Sequence, residues 1–521
     1  MQLRLPPGDR ARPRLAGRIP ISALAAGGLV AAVALAAAAS LAASGPAVAA
    51  DDEPGWIGLW FENREGPGAE VTVVAAGGPA ERAGLAAGDV ILKADGAALA
   101  DAVALAKALR RLRAGGQVKL QVARGETERE VAVVATAFDF RSVAQNMLER
   151  GVSYLVSRQQ PSGSWPHFQI AGDAVESPPT TALVLKTMAG LPPAMRERHA
   201  ETIDRAADFL LERTGPDGRV GAGEERYGYV SYTTALALSG LARLRRPQDA
   251  DAIARIRANL VKRQLDDGEG VTEYEFMFYG AWNYHDEDAR ETLRGDTSIT
   301  STATDALRAA GLPADSPVWA RARLFLARAQ NFAKPGGPVG EDGEPRTSAQ
   351  PGPADGGFAF SARESKAGNV PLAAEDGEAR ASVHFRSYGS ATADGLRASI
   401  YAGVSKDDPR IAAAVAWLGR NFDPTRNPGF TEDPIGFARG IYFYYLCSLA
   451  DALGAADVTV LTARNGRPID WRAHLTNALA RQQRPDGSWS NPITVMSEDD
   501  PVLATAFAVQ VLIRCLQEGA R

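Results

Sequence analysis

Two closely similar turns, one near each end of a long helical region, constrain the fold of this chain more than any other feature. They are Gln159-Gln160-Pro161-Ser162-Gly163-Ser164-Trp165 and Gln482-Gln483-Arg484-Pro485-Asp486-Gly487-Ser488-Trp489. Each follows a segment with the apolar spacing of an amphipathic helix and precedes a second helical segment. Weaker Asp/Gly or Pro/Gly turns recur between them, around positions 216, 266, 355 and 428. A helix–turn–helix unit that recurs every roughly 50–90 residues predicts a repeat architecture for residues 141–521.

The predicted helices form pairs, in which the first helix is amphipathic and the second is apolar on nearly all sides. Besides the two that carry the full turns, first helices are predicted near 199–213, 249–264, 317–330 and 408–422. Second helices are predicted near 178–190, 230–244, 297–311, 388–404, 436–453 and 500–516. A helix that is apolar all round belongs in an interior, so six pairs predict a ring with the second helices inside. The Gly/Pro-rich stretch 333–381 is predicted to be a long loop insertion.

These features resemble the α/α toroid of squalene–hopene cyclases and of protein prenyltransferase β-subunits. The stretch Gly280-Ala281-Trp282-Asn283-Tyr284, followed by Gly295-Asp296-Thr297-Ser298, is similar to a repeat variant of secreted squalene-cyclase-like proteins. The resemblance implies a mainly α fold, an (α/α)6 toroid over residues 141–521. The glutamine of each turn is expected to bond orphan carbonyl groups at the outer helix end, and Trp165 and Trp489 to wedge between repeats.

Residues 55–137 have a different pattern, in which short β-propensity runs surround one amphipathic helix. The most specific stretch is Gly78-Pro79-Ala80-Glu81-Arg82-Ala83-Gly84-Leu85-Ala86-Ala87-Gly88-Asp89-Val90-Ile91, followed by Asp95-Gly96. It resembles a bacterial PDZ domain, a small mostly β domain. The resemblance implies that a C-terminal peptide of a partner protein adds to a sheet edge, with its carboxylate held by the loop Trp56-Ile57-Gly58-Leu59. It implies a structural role for Gly88 and Asp89.

The first 50 residues have the organisation of an export signal. Five arginines precede an uncharged alanine-rich stretch from Ile19 to Ala43, and Ala47-Val48-Ala49 has the small-x-small pattern of a cleavage site. The apolar stretch is long, so both a cleaved signal peptide and an uncleaved anchor in the inner membrane stay open. Either alternative predicts an exported protein, periplasmic or secreted, with membrane attachment through residues 19–43 if the segment is retained.

Composition excludes several classes of partner and site. The formal net charge is −5, so the chain has no basic surplus for nucleic acid. Cys447 and Cys515 are the only cysteines, which excludes a cysteine-rich zinc module and leaves their own pairing open. We expect neither a metal nor a cofactor.

The sequence departs from the catalytic motifs of the toroid families. Cyclases protonate an alkene with an Asp-x-Asp-Asp motif, whereas the nearest string here, Ser497-Glu498-Asp499-Asp500, lacks the first aspartate. Asp500-Pro501 predicts an N-cap with proline at the first helical position instead. Prenyltransferases bind zinc through an Asp-x-Cys pair, and neither cysteine of this chain is preceded by that aspartate.

Two sets of residues remain as site candidates. The catalytic candidates are His285, Asp286, Asp288 and Asp296, a loop cluster for which the competing interpretation is a solvated acidic loop with Asp296 as a helix cap. The cavity candidates are aromatic residues near the starts of inner helices, which suit an apolar or isoprenoid-like ligand: Tyr232, Tyr279, Trp282, Tyr284, Tyr388, Tyr442 and Tyr445.

Three functional hypotheses follow. The first is a non-catalytic exported binding or scaffold protein, in which the PDZ groove takes C-terminal peptides and the toroid takes a ligand or partner. The alternative is a terpenoid cyclase or prenyltransferase-like enzyme with relocated catalytic carboxylates. A polysaccharide-active toroid is the third and rests on fold analogy.

Overall fold

The computed structural model describes residues 55–167, 175–221, 229–266, 277–284, 294–332, 354–371 and 383–517. Within these ranges, no helix is both long enough and apolar enough to cross a membrane. The signal or anchor segment, residues 1–50, lies outside the described residues. So do three of the catalytic candidates, His285, Asp286 and Asp288.

The chain begins with a small β-rich domain. Its elements are β1 (Leu59–Asn63), β2 (Ala69–Val74), α1 (Pro79–Arg82), β3 (Val90–Ala94), β4 (Ala97–Ala98), α2 (Ala102–Leu109), β5 (Gln117–Arg124) and β6 (Thr127–Val134). The strands pair antiparallel in the order β1-β2-β3-β5-β6, and β4 pairs with β3. Inward residues of the strands, such as Ile91 and Leu120, share one apolar core with Leu105 and Leu109 of α2. The sheet therefore has β1 at one edge, beside α2.

The remainder of the described chain is helical. Its helices are α3 (Phe140–Ser157), α4 (Pro178–Ala189), α5 (Pro193–Arg198), α6 (Ala200–Glu212), α7 (Val230–Leu244), α8 (Ala250–Lys262), α9 (Thr297–Ala309), α10 (Pro317–Ala329), α11 (Gly389–Tyr401), α12 (Pro409–Arg420), α13 (Phe437–Gly440), α14 (Tyr442–Ala455), α15 (Trp471–Ala480) and α16 (Pro501–Leu516). Three short hairpins connect some of them: β7 (Pro166–His167) with β8 (Val175–Glu176), β9 (Asn369–Pro371) with β10 (Val383–Phe385), and β11 (Leu461–Thr462) with β12 (Pro468–Ile469). The prediction of a mainly α protein with a small β-rich domain is confirmed.

Six helices contact one another in cyclic order, and we call them the inner helices. Helix α4 packs on α7, α7 on α9, α9 on α11, α11 on α14 and α14 on α16, which returns to α4. Their side chains are buried almost all round; in α9 every residue from Thr297 to Leu307 is buried. The outer helices α3, α6, α8, α10, α12 and α15 pack on them through one apolar face. Observed helices lie within a few residues of the predicted ones, except that the segment 436–453 is divided into α13 and α14.

Four glutamines join consecutive outer helices by one recurring pair of hydrogen bonds. In each, the side-chain Nε2 donates to a glycine carbonyl of its own turn and to a carbonyl of the next outer helix. The acceptors in the next helix are Thr202 of α6 for Gln159, Val318 of α10 for Gln264, Arg410 of α12 for Gln330 and Met147 of α3 for Gln483. The prediction that glutamine bonds orphan carbonyl groups at the outer helix end differs from what the structure shows, because one acceptor lies in its own turn and the other in the neighbouring outer helix.

The tryptophans of the turns connect the helices of a pair. The indole N–H of Trp165 donates to the Leu155 carbonyl at 2.7 Å, and its backbone N–H donates to the Thr181 hydroxyl of α4 at 3.0 Å. Trp489 makes the equivalent bonds, and its ring also packs against Gly151 of α3. The predicted structural role of these tryptophans thus has a physical basis, since each is fully buried with its polar atom satisfied.

Each such turn contains a glycine that no other residue can replace without strain. Gly280 has φ +89°, and a Cβ at this position would lie 1.9 Å from the carbonyl oxygen of Arg321 in α10. Gly163 and Gly487 have the same conformation and make similarly close approaches to α6 and α3. The left-handed conformation and the close approach both require glycine.

We expect Gly280→Ala to lower the free energy of unfolding by about 3 kcal/mol or more, because the added methyl group forces the turn away from α10. Gly311→Ala is the matched control: Gly311 also has a positive φ, +69°, but nothing lies within 4 Å of the added carbon. The control should lower the free energy of unfolding by only about 1 kcal/mol, the cost of a left-handed backbone conformation in alanine. Urea unfolding of both variants measures the difference, and equal losses would contradict this account of the turn.

Candidate functional sites

Helix α2 lies alongside the edge strand β1, and we call the strip between them the groove. Within the described residues, β1 pairs only with β2, so its outer edge is available to another strand. Asn63, at the end of β1, accepts a hydrogen bond from the Ala102 N–H at 2.9 Å and thereby fixes α2 alongside the strand. Leu59 and Phe61 pack on the domain core and give the groove an apolar base.

The loop that enters β1 presents backbone N–H groups. Gly58 has φ +72°, its carbonyl accepts from the Ala75 N–H, and the Ile57 carbonyl accepts from the Ala80 N–H, both at 2.8 Å. The N–H groups of Ile57 and Gly58 have no acceptor among the described residues. Two neighbouring donors without an acceptor at the end of an edge strand suit an incoming carboxylate.

A PDZ-domain family model matches residues 55–134. These residues form a PDZ domain. The predicted peptide-binding residues Ile57, Gly58 and Leu59 lie at the groove, whereas Trp56 packs against Phe138, with ring centroids 5.1 Å apart, and against the core of the helical domain. Asp89 is fully buried, where it binds Arg124 and the Ala86 N–H, the structural role that the resemblance implied.

Solved structures similar to the chain include type II terpene cyclases. One is a single-substitution variant of the cyclase MstE from Scytonema without ligand; it is 17% identical, with 73% of this chain and 99% of that chain covered and a TM-score of 0.46. A second MstE variant, in complex with the product merosterolic acid A, is 18% identical, with the same coverage and a TM-score of 0.45. A protein from Actinoplanes is 17% identical, covering 72% of this chain and all of its own, with a TM-score of 0.44. No curated protein matches the sequence.

The PDZ domain contacts the helical domain where its first and last repeats meet. Trp60, on the opposite side of β1 from the PDZ core, packs with Trp56 against the core of the helical domain. Arg150 of α3 pairs with Glu81 of the PDZ domain at 3.3 Å and donates to the Pro485 carbonyl of the last full turn at 2.9 Å. One side chain therefore connects the PDZ domain to both ends of the repeat array.

Charged residues fill the inside of the helical domain near the C-terminal ends of the inner helices. Asp451 of α14 lies 2.6 Å from both Arg397 of α11 and Arg514 of α16. Asp305 of α9 lies 2.6 Å from Arg243 of α7 and 3.6 Å from Lys186 of α4. We call these six residues the ionic network, to which every inner helix contributes one. Although burial opposes ionisation, Arg514 and Arg397 hold the pKa of Asp451 at about 2.

A second buried group lies nearer the helix starts. Asp394 accepts hydrogen bonds from the hydroxyls of Tyr444, at 2.8 Å, and Ser448, at 2.9 Å, and burial raises its pKa to about 6 despite Arg397. Asp296 caps α9 by accepting from the N–H groups of Ser298 and Ile299, and burial raises its pKa to about 7. The capping interpretation of Asp296 thus has direct geometric support. Of the catalytic candidates, it alone lies within the described residues.

The cavity candidates are divided between the interior and the packing of the helices. Tyr232 and Tyr284 pack ring against ring, and the charges of Asp296 and Asp394 act on both, as they do on Tyr388. The others serve packing: Trp282 bonds the Leu260 carbonyl, Tyr442 bonds the Pro424 carbonyl, and Tyr279 and Tyr445 are buried. Tyr444, which was not a candidate, reaches the interior.

A periodic signal could have found Tyr444. In α14 the polar residues Tyr444, Ser448 and Asp451 are spaced i, i+4 and i+7, which places them on one helical face. An otherwise apolar helix with one polar stripe predicts that this stripe faces a polar interior.

Two acidic residues of Ser497-Glu498-Asp499-Asp500, the stretch nearest to the cyclase motif, cap helices. Asp500 caps α16 through the Val502 N–H at 2.8 Å and lies 3.0 Å from His167 of the first repeat. Glu498 accepts from the N–H groups of Tyr442, Phe443 and Tyr444 at the start of α14. The string therefore joins the last repeat to its neighbours on both sides.

The two cysteines are unpaired in the structure, and both are buried. Burial raises the pKa of each thiol to about 12, so neither is a thiolate at neutral pH.

We expect Arg397→Met to lower the free energy of unfolding by about 3–5 kcal/mol, because it leaves Asp451 and Asp394 buried with fewer partners. Lys406→Met is the matched control, since Lys406 and Asp457 form an exposed pair whose loss costs about 1 kcal/mol or less. Chemical denaturation of the two variants checks the comparison. A loss for Arg397→Met as small as that of the control would show that the ionic network does not stabilise the fold.

The raised pKa of Asp394 predicts a pH effect on stability. Between about pH 4, where the unfolded carboxyl titrates, and about pH 6, the folded form binds the extra proton, so this group lowers the free energy of unfolding as pH rises. The half-buried His199 and His474, whose pKa values are lowered by burial, act in the opposite direction. We therefore expect Asp394→Asn to gain stability relative to the unsubstituted protein from pH 4 to pH 7. Urea unfolding across this range measures it; a constant difference would contradict the raised pKa.

Proposed function

We propose that this is an exported binding protein, in which the PDZ groove takes the C-terminal segment of another protein and the helical ring, as an α/α toroid, provides a second binding surface. The observation that carries the proposal is the edge of β1, which pairs only with β2 in the described part of the chain and follows the N–H groups of Ile57 and Gly58, which have no acceptor there. The organisation of residues 1–50 supports export, with attachment to the inner membrane through residues 19–43 if that segment is retained.

Peptide capture follows from the groove. An extended peptide would pair with β1 through main-chain hydrogen bonds, and its terminal carboxylate would accept from the N–H groups of Ile57 and Gly58. Lys107, Arg110 and Arg111 lie at the end of α2, where the Leu112 carbonyl bonds the Gly55 N–H next to this loop. Within the described residues none of the three pairs with a carboxylate, so they favour the approach of an anionic terminus.

The groove is tested with peptides that carry free C-termini, selected from an unbiased library by fluorescence polarisation. The best peptide should lose at least about tenfold in affinity when its carboxylate is amidated, since the amide removes the charge that the loop binds. Gly58→Glu should abolish binding, whereas Gly96→Glu, at a positive φ in a turn with nothing within 4 Å, should bind normally. Absence of any binding peptide would refute the peptide half of the proposal.

A terpenoid cyclase or prenyltransferase-like enzyme is the second candidate, and the two buried carboxyl groups of Asp296 and Asp394 favour it. A carboxylic acid with a raised pKa is the group that acid catalysis requires. Turnover of squalene or a prenyl diphosphate that is lost in Asp394→Asn would establish this function. If neither substrate is turned over, this candidate is refuted and the binding-protein proposal is retained.

A further inference from the structure

A surface cleft separates the outer helix α12 from the segment that follows α14, and we call it the α12 cleft. It encloses about 570 Å³, a volume within the range of small-molecule sites. One wall is α12, and the other is formed by residues 456–466, which include strand β11 and the turn after it. A Cβ on Gly419 would overlap the Thr462 carbonyl, so the absence of a side chain there lets the strand approach the helix.

The walls of the α12 cleft are mainly apolar. Ala412, Val415 and Ala416 line it from one face of α12, at a spacing of three and four residues. From the opposite wall, Val458 is half-buried and Val460 is 51% exposed. A ligand that covers these side chains removes apolar surface from water, which favours binding.

The charged residues of the lining are all cationic. They are Lys406, Arg420 and Arg464, and no aspartate or glutamate is among the described residues that line the cleft. Lys406 forms an exposed ion pair with Asp457, whereas no carboxylate of the described chain lies within 4.0 Å of the Arg420 or Arg464 guanidinium group. Since the whole chain has a formal net charge of −5, this cationic lining favours an anionic ligand here rather than elsewhere on the molecule.

Arg420 and Arg464 lie at the same end of the α12 cleft. Arg464 donates to the side-chain oxygen of Asn421 at 3.5 Å, and the Asn421 amide donates to the Trp417 carbonyl at 2.9 Å. Arg420, the residue before Asn421, donates to the Asp355 carbonyl at 2.8 Å. A guanidinium group has several N–H donors, and among the described residues each of these two uses one, so donors remain for an anion.

The ligand that suits this cleft combines a hydrocarbon chain with an anionic end. A neutral hydrocarbon would cover the apolar walls and leave the guanidinium donors without an acceptor, and a small anion would leave the walls exposed to water. The helix from Ile411 to Arg420 is about 14 Å long, so one extended chain can lie along it with its charged end at Arg420 and Arg464.

We propose that the α12 cleft binds a fatty acid, with the acyl chain along α12 and the carboxylate on Arg420 and Arg464. A carboxylate has two oxygens and can accept from both guanidinium groups. A single chain suits the volume of the cleft, whereas a phospholipid brings two. The inference names a ligand for the second binding surface of the proposed function and rests on that part of it alone.

The first experiment measures how affinity depends on chain length. Calorimetry is performed on the purified protein with octanoate, decanoate, dodecanoate and tetradecanoate, each below the concentration at which it forms micelles. Each added methylene group should strengthen binding by up to about fourfold, and the gain should end once the chain is longer than the cleft. Absence of binding by all four carboxylates, or an affinity that does not depend on chain length, would overturn the inference.

Arg464→Gln tests the charged end of the cleft. It should weaken dodecanoate binding by about tenfold through loss of a charge-assisted hydrogen bond, and it should leave the weaker binding of dodecanol unchanged. Arg467→Gln is the matched control, because Arg467 is an exposed arginine close by in the chain that does not line the cleft. Equal losses of affinity in the two variants would show a general effect of positive charge and contradict the proposed contact.

Ala416→Phe tests the position of the acyl chain, since the added ring fills the cleft. Dodecanoate binding should be lost, and because Ala416 is exposed, thermal unfolding should show an intact fold. Ala258→Phe, at an exposed alanine of the outer helix α8, is the matched control and should bind dodecanoate normally. Unchanged binding by Ala416→Phe would place the fatty acid elsewhere on the protein and overturn the inference.

Two further comparisons separate this inference from its alternatives. Gly58→Glu should lose peptide binding and keep dodecanoate binding. A protein that binds peptide but no fatty acid refutes this inference alone, whereas one that binds fatty acid but no peptide refutes only the peptide half of the proposed function. An acidic peptide that displaces dodecanoate and binds more tightly would overturn the choice of a fatty acid as the ligand.

Discussion

The hydrogen bond from Gln483 to the Met147 carbonyl joins the last repeat to the first and closes the ring of repeats. The rest of the structure depends on this closure. Helices α16 and α4 are apolar over almost their whole surface, so an open row of repeats would expose both to water. Closure places each against the other, with the amphipathic outer helices packed outside them. It also creates the site at which Arg150 holds the PDZ domain.

Closure explains why the interior can contain so much charge. The network residues lie in the last turns of the inner helices, where each helix presents about half a negative charge. Lys186, Arg243, Arg397 and Arg514 outnumber Asp305 and Asp451, and the helix ends, with Asp394 at 3.4 Å from Arg397, supply the remaining negative potential. The starts of the same helices present the opposite potential, which offsets part of the cost of burying the carboxylates of Asp296 and Glu498 that cap them.

The sequence predicted the parts of the fold that follow from local pattern. Apolar periodicity located the helices, and Asp-Pro and Asp-x-x patterns located the caps at Asp296 and Asp500. The role of Gln264 and Gln330 was missed, because insertions separate each of them from its glycine and hide the repeated turn. The polar stripe of α14 can be seen in the sequence, but a count of apolar residues treats its members only as breaks in an apolar helix.

The contact between the last and first repeats affects how the protein folds during synthesis. Gln483 and Met147 are separated by 336 positions, and Arg150 reaches a turn almost equally distant from it. Contacts of such long sequence separation form slowly, because the entropy of closing the intervening loop must be lost before they contribute. Until α15 and α16 arrive, the faces of α3 and α4 that pack on them have no cover. The first repeat is therefore the part of the nascent chain most exposed to misassociation. The PDZ domain makes its contact with the last repeat only after that repeat has been synthesised.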